Sequence, residues 1–120
     1  NRALPPHFVA KGAKIQNSLI ADGCEIGGDV YDSVIFSGAE VEKGAEVSYS
    51  VIMPGAKIKK GAVVKYSIVA QDAVVEKGAK VGDSPEEFKN KIDEWGITTI
   101  GPNYVVKEKE VIAPKEMVEA

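Results

Sequence analysis

Three serines are the first side chains in this 120-residue sequence whose type and spacing suggest chemistry. Ser33, Ser50 and Ser67 recur at intervals of seventeen residues. A serine nucleophile needs a neighbouring base, and the only histidine, His7, lies in a proline-containing segment at the start of the chain. We therefore interpret the serines as a structural ladder whose hydroxyls bond backbone groups of adjacent repeats. We expect His7 to be a surface residue, and we predict no catalytic residue and no metal site.

A second set of residues could bind anions. Lys43, Lys60 and Lys77 recur at the same seventeen-residue interval. The residues just before them alternate in sign, namely Glu42, Lys59 and Glu76. Two interpretations follow from this pattern. The lysines form a solvated corner whose like charges are offset by glutamates, or they form a row of ammonium groups that attracts a phosphorylated effector.

The same interval runs through the apolar residues and defines the fold. Six columns of aliphatic, alanine or serine residues keep this step, for example Ile35, Ile52 and Val69. Most aliphatic residues are also six or five positions apart, with Gly and Ala between them, as in Val41-Glu42-Lys43-Gly44-Ala45-Glu46. A strict internal repeat of this kind is typical of a solenoid. We predict an all-β fold of three-sided coils stacked as parallel strands, with the Val and Ile columns inside.

The chain divides into a linker, a solenoid and a tail. Residues 1–8 read as a linker from a preceding domain, residues 9–113 as the β-helix, and residues 114–120 as a polar tail. The coil that begins at Ile26 is two residues short, at a Gly27-Gly28 corner that can turn more tightly. Ser84, Pro85 and Glu87 carry the signals of a helix start, so we predict an inserted α-helix over 85–95. Its apolar face would consist of Phe88, Ile92 and Trp95.

Composition limits the function classes. The net charge is −3, and no basic face with stacking aromatics indicates nucleic-acid binding. No apolar run is long enough to span a bilayer. Cys24 is the single cysteine and stands in an alanine column, so we expect a buried, unpaired thiol and a cytoplasmic protein. Tyr49 and Tyr66 stand one coil apart, and we expect them to stack.

Several longer strings are more specific than the repeat. They are Leu4-Pro5-Pro6-His7-Phe8, Asn17-Ser18-Leu19-Ile20-Ala21-Asp22-Gly23-Cys24, Asp32-Ser33-Val34-Ile35, Tyr49-Ser50-Val51-Ile52-Met53-Pro54-Gly55-Ala56 and Gly96-Ile97-Thr98-Thr99-Ile100-Gly101. In these strings the chain resembles the C-terminal domain of a known family, the bacterial glucose-1-phosphate adenylyltransferases. The resemblance implies a left-handed parallel β-helix. It also implies the parent reaction, in which ATP and glucose 1-phosphate give ADP-glucose and pyrophosphate with Mg²⁺ for glycogen synthesis.

The resemblance places that chemistry in an N-terminal nucleotidyltransferase domain, so neither ATP nor Mg²⁺ is expected to bind this fragment. It implies docking to that domain, a homo- or heterotetramer, and an effector site between domains. In some members a basic residue soon after the strand matching Ile97–Ile100 binds a sugar phosphate. Pro102 takes that place here, and the nearest cations are Lys107 and Lys109.

Two alternatives stay open. One is a purely structural hexapeptide-repeat assembly module. The other is a hexapeptide acyltransferase, which needs a histidine base on a coil face. The position of His7 in the leading segment argues against the second alternative.

Overall fold

The chain folds as a parallel β-solenoid. The computed structural model describes residues 6–119, except for the side chains of 88–92. These residues form eighteen short strands in three sheets of six, one sheet on each side of a prism. We refer to the sheets as A, B and C, in the order in which the chain visits them.

Successive strands belong to successive sheets, so one coil contributes one strand to each. Sheet A contains β1 (Phe8–Val9), β4 (Glu25–Ile26), β7 (Glu40–Val41), β10 (Lys57–Ile58), β13 (Val74–Val75) and β16 (Val105–Val106). Sheet B contains β2 (Ile15–Gln16), β5 (Asp29–Tyr31), β8 (Glu46–Ser48), β11 (Val63–Lys65), β14 (Lys80–Val81) and β17 (Val111–Ile112). Sheet C contains β3 (Leu19–Ile20), β6 (Val34–Ile35), β9 (Val51–Ile52), β12 (Ser67–Val69), β15 (Thr98–Ile100) and β18 (Met117–Val118).

The predicted columns are confirmed by the strand register. Ile35 pairs with Ile52, and Ile52 pairs with Val69. All three side chains are fully buried, as are Ile58 and Val64 in the corresponding columns of sheets A and B. β-branched side chains suit this narrow interior because their few rotamers fill a pleated surface at little entropic cost. The core is therefore a stack of aliphatic layers, one for each coil.

The corners depend on residues with positive φ. Gly44, Gly61 and Gly78 have φ values of 81°, 73° and 70° at the corner between sheets A and B, where the absence of a Cβ removes the steric penalty of this conformation. At the corner between sheets B and C the same conformation is taken by non-glycine residues. Tyr49 and Tyr66 both have φ of 50°, which is rare for bulky side chains.

The short coil turns at Gly27-Gly28, as predicted. A Cβ atom added at Gly28 would lie 2.4 Å from the carbonyl oxygen of Ala45 and 2.6 Å from that of Glu42. Only glycine fits at this position, because the next coil, which has two more residues at this corner, covers it directly. The tight turn keeps the strands on both sides in register, with Ile26 paired to Val41.

The inserted helix is present, but the prediction of an α-helix is wrong. Residues Pro85–Glu94 form a 3₁₀ helix, the only helix among the residues described. At its start the N–H of Glu87 donates to the carbonyl oxygen of Ser84 (3.1 Å), which is the i to i+3 bond of 3₁₀ geometry. The predicted face residues Phe88 and Ile92 lie outside the described side chains. An isolated helix of ten residues is only marginally stable in water. The tertiary contacts at the two ends of this segment therefore determine its geometry more than the helix propensity of its residues does.

Contacts with the prism hold the insertion where it leaves sheet B and where it returns to sheet C. The indole N–H of Trp95 donates to the carbonyl oxygen of Asp83 at 2.8 Å. β15 then returns to sheet C beside β12, with Val69 paired to Ile100. These two residues are 31 positions apart instead of seventeen, so the insertion adds fourteen residues without shifting the ladder.

The strands extend beyond the predicted bounds of 9–113 at both ends. Phe8, assigned to the linker, lies in β1 and pairs with Glu25. Met117 and Val118, assigned to the tail, form β18 and pair with β15. The backbone of a polar terminal segment is held here because the edge of sheet C offers free hydrogen-bonding groups.

Candidate anion site and docking face

The structure brings the five lysines predicted as candidate anion ligands to one corner of the prism, between sheets A and B. Lys43, Lys60 and Lys77 each lie two positions after a strand residue of sheet A, and those strand residues pair with one another in successive coils. The three lysines therefore lie directly above one another, about 4.8 Å apart along the stack. The other two occupy the same corner in the sixth coil. All five are exposed, and they are Lys43, Lys60, Lys77, Lys107 and Lys109. We call this set the lysine corner.

Glutamates divide the lysine corner into two parts. Glu42 forms an ion pair with Lys59 (3.5 Å) and also accepts a hydrogen bond from the backbone N–H of Lys60 (3.0 Å). In the sixth coil Glu108 occupies the column position that follows Lys77. Lys43, Lys60 and Lys77 therefore form a continuous cationic column, whereas Lys107 and Lys109 lie on either side of a carboxylate.

A notch of about 380 Å³ lies beside the start of this column. It exists because the second coil lacks two residues at this corner, and its lining includes Phe8, Lys43 and Lys60. The carboxylates of Glu25 and Glu40 also line it. The notch therefore carries charges of both signs.

The serines form the predicted ladder. The Ser33 hydroxyl accepts a hydrogen bond from the Ser50 N–H (3.0 Å), and the Ser50 hydroxyl accepts one from the Ser67 N–H (3.1 Å). Each hydroxyl also donates to the carbonyl oxygen two residues earlier, at 2.8 Å. His7 is exposed and precedes β1, on a different corner of the prism. The hydroxyls are thus fully used in structural bonds.

Three aromatic side chains contact one another at the corner between sheets B and C, where the insertion leaves the prism. The rings of Tyr49 and Tyr66 stack with centroids 4.7 Å apart and planes 9° apart, which confirms the predicted stack. Trp95 meets Tyr66 edge-on, with centroids 5.5 Å apart. Sequence reasoning placed Trp95 on a helix face and missed this contact, because the return path of the insertion is not encoded in the repeat.

Cys24 is buried, with 1% of its surface exposed, as predicted from its place in the alanine column. Its thiol donates to the carbonyl oxygen of Phe36 at 2.9 Å. Burial raises the pKa of the Cys24 thiol, although nearby backbone groups partly oppose this effect. The thiol is therefore a packing group with little thiolate character at neutral pH.

The outer side of sheet C is a further feature that sequence reasoning missed. The strands of sheet C contain no charged residue. The strands of sheet A contain charged residues such as Glu25 and Lys57, and a strand of sheet B contains Lys80. The outward side chains of these strands are apolar or uncharged, and those of the central column are Leu19, Val34, Val51, Ile68, Thr99 and Met117. The column that follows the strands is apolar at Phe36 and Met53 and ends in the exposed Glu119 in the sixth coil. With Phe36 and Met53, which follow two of these strands, we call this set the apolar face. A sequence signal existed in every third strand, but it becomes visible only when the strands are sorted by sheet.

Two kinds of feature are absent from residues 6–119. These residues contain no helix of the length and hydropathy needed to cross a bilayer. The same part of the chain brings together no group of three His, Cys, Asp or Glu side chains that could bind a metal ion.

Comparison with known proteins agrees with the architecture. Residues 5–100 match the family model described as GlmU-like, C-terminal hexapeptide. Glucose-1-phosphate adenylyltransferase of Thermosipho melanesiensis is 49% identical over 41 residues, which are 34% of this chain and 10% of that protein. The enzymes of the same name from Bacillus thuringiensis and Bacillus anthracis are 52% identical over 40 residues, which are 33% of this chain and 11% of each relative. The match thus spans about a tenth of the length of these curated relatives. Because the family model covers most of the sequence, the chain belongs to the GlmU-like C-terminal hexapeptide family.

Proposed function

We propose that this chain is the C-terminal oligomerisation and regulatory domain of a cytoplasmic glucose-1-phosphate adenylyltransferase, the enzyme of glycogen synthesis that makes ADP-glucose and pyrophosphate from ATP and glucose 1-phosphate. The observation that carries the proposal is the identity of 49–52% to enzymes of that name over 40–41 residues, about a third of this chain. ATP and Mg²⁺ would bind a nucleotidyltransferase domain outside these 120 residues. The solenoid itself takes no part in the chemistry.

The serine ladder and the position of His7 support a non-catalytic role. Acyl transfer on a hexapeptide solenoid requires a histidine base on a coil face, and the serine hydroxyls here are engaged with backbone groups. The proposed tasks of the solenoid are to dock on the catalytic domain and to bring subunits together in a homo- or heterotetramer. The apolar face is the surface that suits such contacts best, since extended uncharged patches commonly mark interaction sites.

An assay of the complete protein that contains this chain tests the proposal. We expect ATP-dependent release of pyrophosphate in the presence of glucose 1-phosphate and Mg²⁺. The 120-residue chain alone should fold and show no turnover. Acetyl transfer from acetyl coenzyme A by the chain, abolished in His7→Ala, would instead identify an acyltransferase. A complete protein without a nucleotidyltransferase domain would leave the structural assembly module as the function.

We propose further that the lysine corner binds a phosphorylated effector. Support comes from the three stacked ammonium groups of Lys43, Lys60 and Lys77, since a row of like charges raises the local concentration of anions. Inorganic pyrophosphate is a suitable first probe. One ammonium group about 4 Å from an anion contributes about 1 kcal/mol in water, so Lys60→Ala should weaken binding about fivefold.

The matched control for that titration is Lys80→Ala, which removes an exposed lysine from sheet B. It should leave the affinity for pyrophosphate unchanged. Lys107→Ala and Lys109→Ala test whether the sixth coil belongs to the site. Equal losses in Lys60→Ala and Lys80→Ala would reduce the lysine corner to a solvated surface.

A further inference from the structure

We infer that the corner between sheets B and C, in the first three coils, binds the guanidinium group of an arginine side chain. The inference goes beyond the proposed function and does not depend on it. It begins from the column of residues at this corner, in which Asn17, Asp32, Tyr49 and Tyr66 have φ values of 49°, 51°, 50° and 50°. Their backbone conformations match, and the residues before them pair in register. Their side chains therefore leave the prism in the same direction, one above the other.

The two tyrosines of this column occupy a backbone conformation that favours other residues. Asparagine and aspartate are enriched at positive φ, whereas a bulky side chain adopts it at a cost in free energy. Packing accounts for Tyr66, because its ring stacks on Tyr49 and also meets Trp95 edge-on. Among the described aromatic residues, Tyr49 has a partner on one face only, and it is 52% exposed. Its second face is free for a ligand.

The free face of Tyr49 is turned towards the second coil, where the column holds Asp32. The two residues are one coil apart, about 4.8 Å along the stack. Because tyrosine is the longer side chain, its ring extends beyond the carboxylate of Asp32. A planar group that stacks on the free face then lies at about the height of that carboxylate. A guanidinium group suits this position, since it stacks on aromatic rings and pairs with a carboxylate in its own plane.

A depression of about 500 Å³ lies next to Asp32, in the first two coils. Leu19 and Val34 form an apolar part of its lining, on which the methylene groups of an arginine can pack. Asn17 also lines it, and its amide N–H donates to Oδ1 of Asp32 at 2.6 Å. This bond holds the carboxylate in place and leaves its other oxygen, with the amide oxygen of Asn17, to accept hydrogen bonds. A guanidinium group has five N–H donors and no acceptor, so it matches these oxygens.

The serine hydroxyls beside the depression are already used within the chain. Ser18 donates to the carbonyl oxygen of Gln16 at 2.9 Å and accepts from the N–H of Ser33 at 3.0 Å. Ser33 likewise donates to one backbone group and accepts from another. The groups left for a ligand are therefore mainly acceptors. A neutral sugar, whose hydroxyls both donate and accept, matches them less well than a cation does.

The charges of this region also favour a cation. Residues 13–18, 28–33 and 45–50, which form sheet B and the corner in the first three coils, carry one lysine and three carboxylates, namely Lys14, Asp29, Asp32 and Glu46. The pKa of the Tyr66 hydroxyl is raised, first by desolvation and then by the negative groups around it, which include Glu86 and Asp32. The stacked rings thus lie in a negative field, which attracts cations.

NMR titration of the ¹⁵N-labelled chain with acetyl-arginine amide tests the inference. We expect saturable shifts centred on the backbone amides of Asp32 and Tyr49, with a dissociation constant on the order of 1–10 mM for so few contacts. Urea is the matched ligand control, because it is planar but uncharged, and it should give no saturable shift. Free L-arginine carries the same guanidinium group. Tighter binding of the amide or of the free amino acid identifies the source as a polypeptide or a metabolite, and saturable binding of either supports the site.

Two variants separate the contributions of the carboxylate and the ring. Asp32→Asn removes only the charge, since asparagine tolerates positive φ and can still accept from Asn17. It should weaken binding of acetyl-arginine amide about fivefold. Tyr49→Asn removes the ring and should weaken binding about threefold. Asp72→Asn is the matched control, because Asp72 has φ of 59° at the corner between sheets C and A. It should leave the affinity unchanged, and thermal unfolding checks that each variant folds.

Several results would overturn the site. Shifts that do not saturate, or that spread over other corners of the prism, would reduce the interaction to a nonspecific one. Equal affinities of Asp32→Asn and Asp72→Asn, or full affinity in Tyr49→Asn, would exclude the stacked arrangement. Saturable binding of methyl α-glucoside but not of acetyl-arginine amide would show that the corner recognises a neutral sugar. None of these results depends on the nucleotidyltransferase assay, so the site and the proposed function can fail separately.

Discussion

The hydroxyl of Ser50 accepts a hydrogen bond from the backbone N–H of Ser67, one coil further along the prism, over 3.1 Å. The same hydroxyl donates to the carbonyl oxygen of Ser48 at 2.8 Å. The side chain thus completes the hydrogen bonding of two backbone groups at a buried corner where the strands stop pairing. The same type of bond joins the N–H of Ser33 to Ser18 and the N–H of Ser50 to Ser33, so it links the first four coils at the corner between sheets B and C.

Ser50→Ala should destabilise the fold by about 1–3 kcal/mol, because it leaves the buried N–H of Ser67 without its acceptor. Denaturant unfolding measures the change. Ser18→Ala is the control, since Ser18 begins the same ladder at the more exposed first coil. An equal and small loss in both variants would show that the ladder contributes little to stability.

Val64→Ala should cost about 2–4 kcal/mol, because it removes two methyl groups from a fully buried column and leaves a cavity. Its neighbour Val63 points outward in the same strand and is half-buried. Val63→Ala should change stability by less than about 1 kcal/mol. Chemical unfolding of the two variants in parallel compares the two sides of one strand. Similar losses would contradict the assignment of the inside and the outside.

Gly28→Ala should destabilise by about 2–3 kcal/mol, since the new methyl group would overlap backbone carbonyl oxygens of the third coil. Gly96→Ala is a useful comparison. Its added Cβ would meet mainly the side chain of Lys115 at 3.2 Å, which can move aside. We expect the melting temperature to fall clearly for Gly28→Ala and to change little for Gly96→Ala. An unchanged melting temperature in Gly28→Ala would mean that the short corner is not fixed by packing.

The thiol of Cys24 should make stability depend on pH in the alkaline range. Burial raises its pKa in the folded chain, so the unfolded chain loses this proton first, from about pH 8.5. The stabilisation that the neutral Cys24 thiol contributes to the folded state is fully present below that pH, and it is lost as the pH rises towards the pKa of the folded chain. Cys24→Ala, which continues the alanine column, removes this effect. The difference in unfolding free energy between the two proteins should therefore shift in favour of Cys24→Ala between pH 7 and pH 10. Parallel curves would contradict the raised pKa.

The repeat allowed much of the fold to be predicted from the sequence. In a solenoid each inward position is dictated by the position one coil earlier, so spacing alone identifies the partners of Ile52 and the turn at Gly44. Features that interrupt the repeat were not accessible in this way. The 3₁₀ geometry of Pro85–Glu94 depends on tertiary anchors such as the Trp95 to Asp83 hydrogen bond.

The candidate sites were predicted unevenly for a related reason. Lys43, Lys60 and Lys77 follow the repeat, so their common corner could be predicted from spacing. Lys107 and Lys109 reached the same corner only because β16 resumes the register after the insertion. The apolar face needed the sheet assignment of every strand, since neighbouring strands in the sequence lie on different sides of the prism.

Strand pairing continues unchanged across the fourteen-residue insertion, so the extra residues lengthen the polypeptide without adding height to the stack of coils. Sequence can be added, shortened or exchanged after β14 while every strand keeps its partner. A prism of constant cross-section can in this way acquire an individual outer shape at a single corner, and loops of foreign origin can be grafted there.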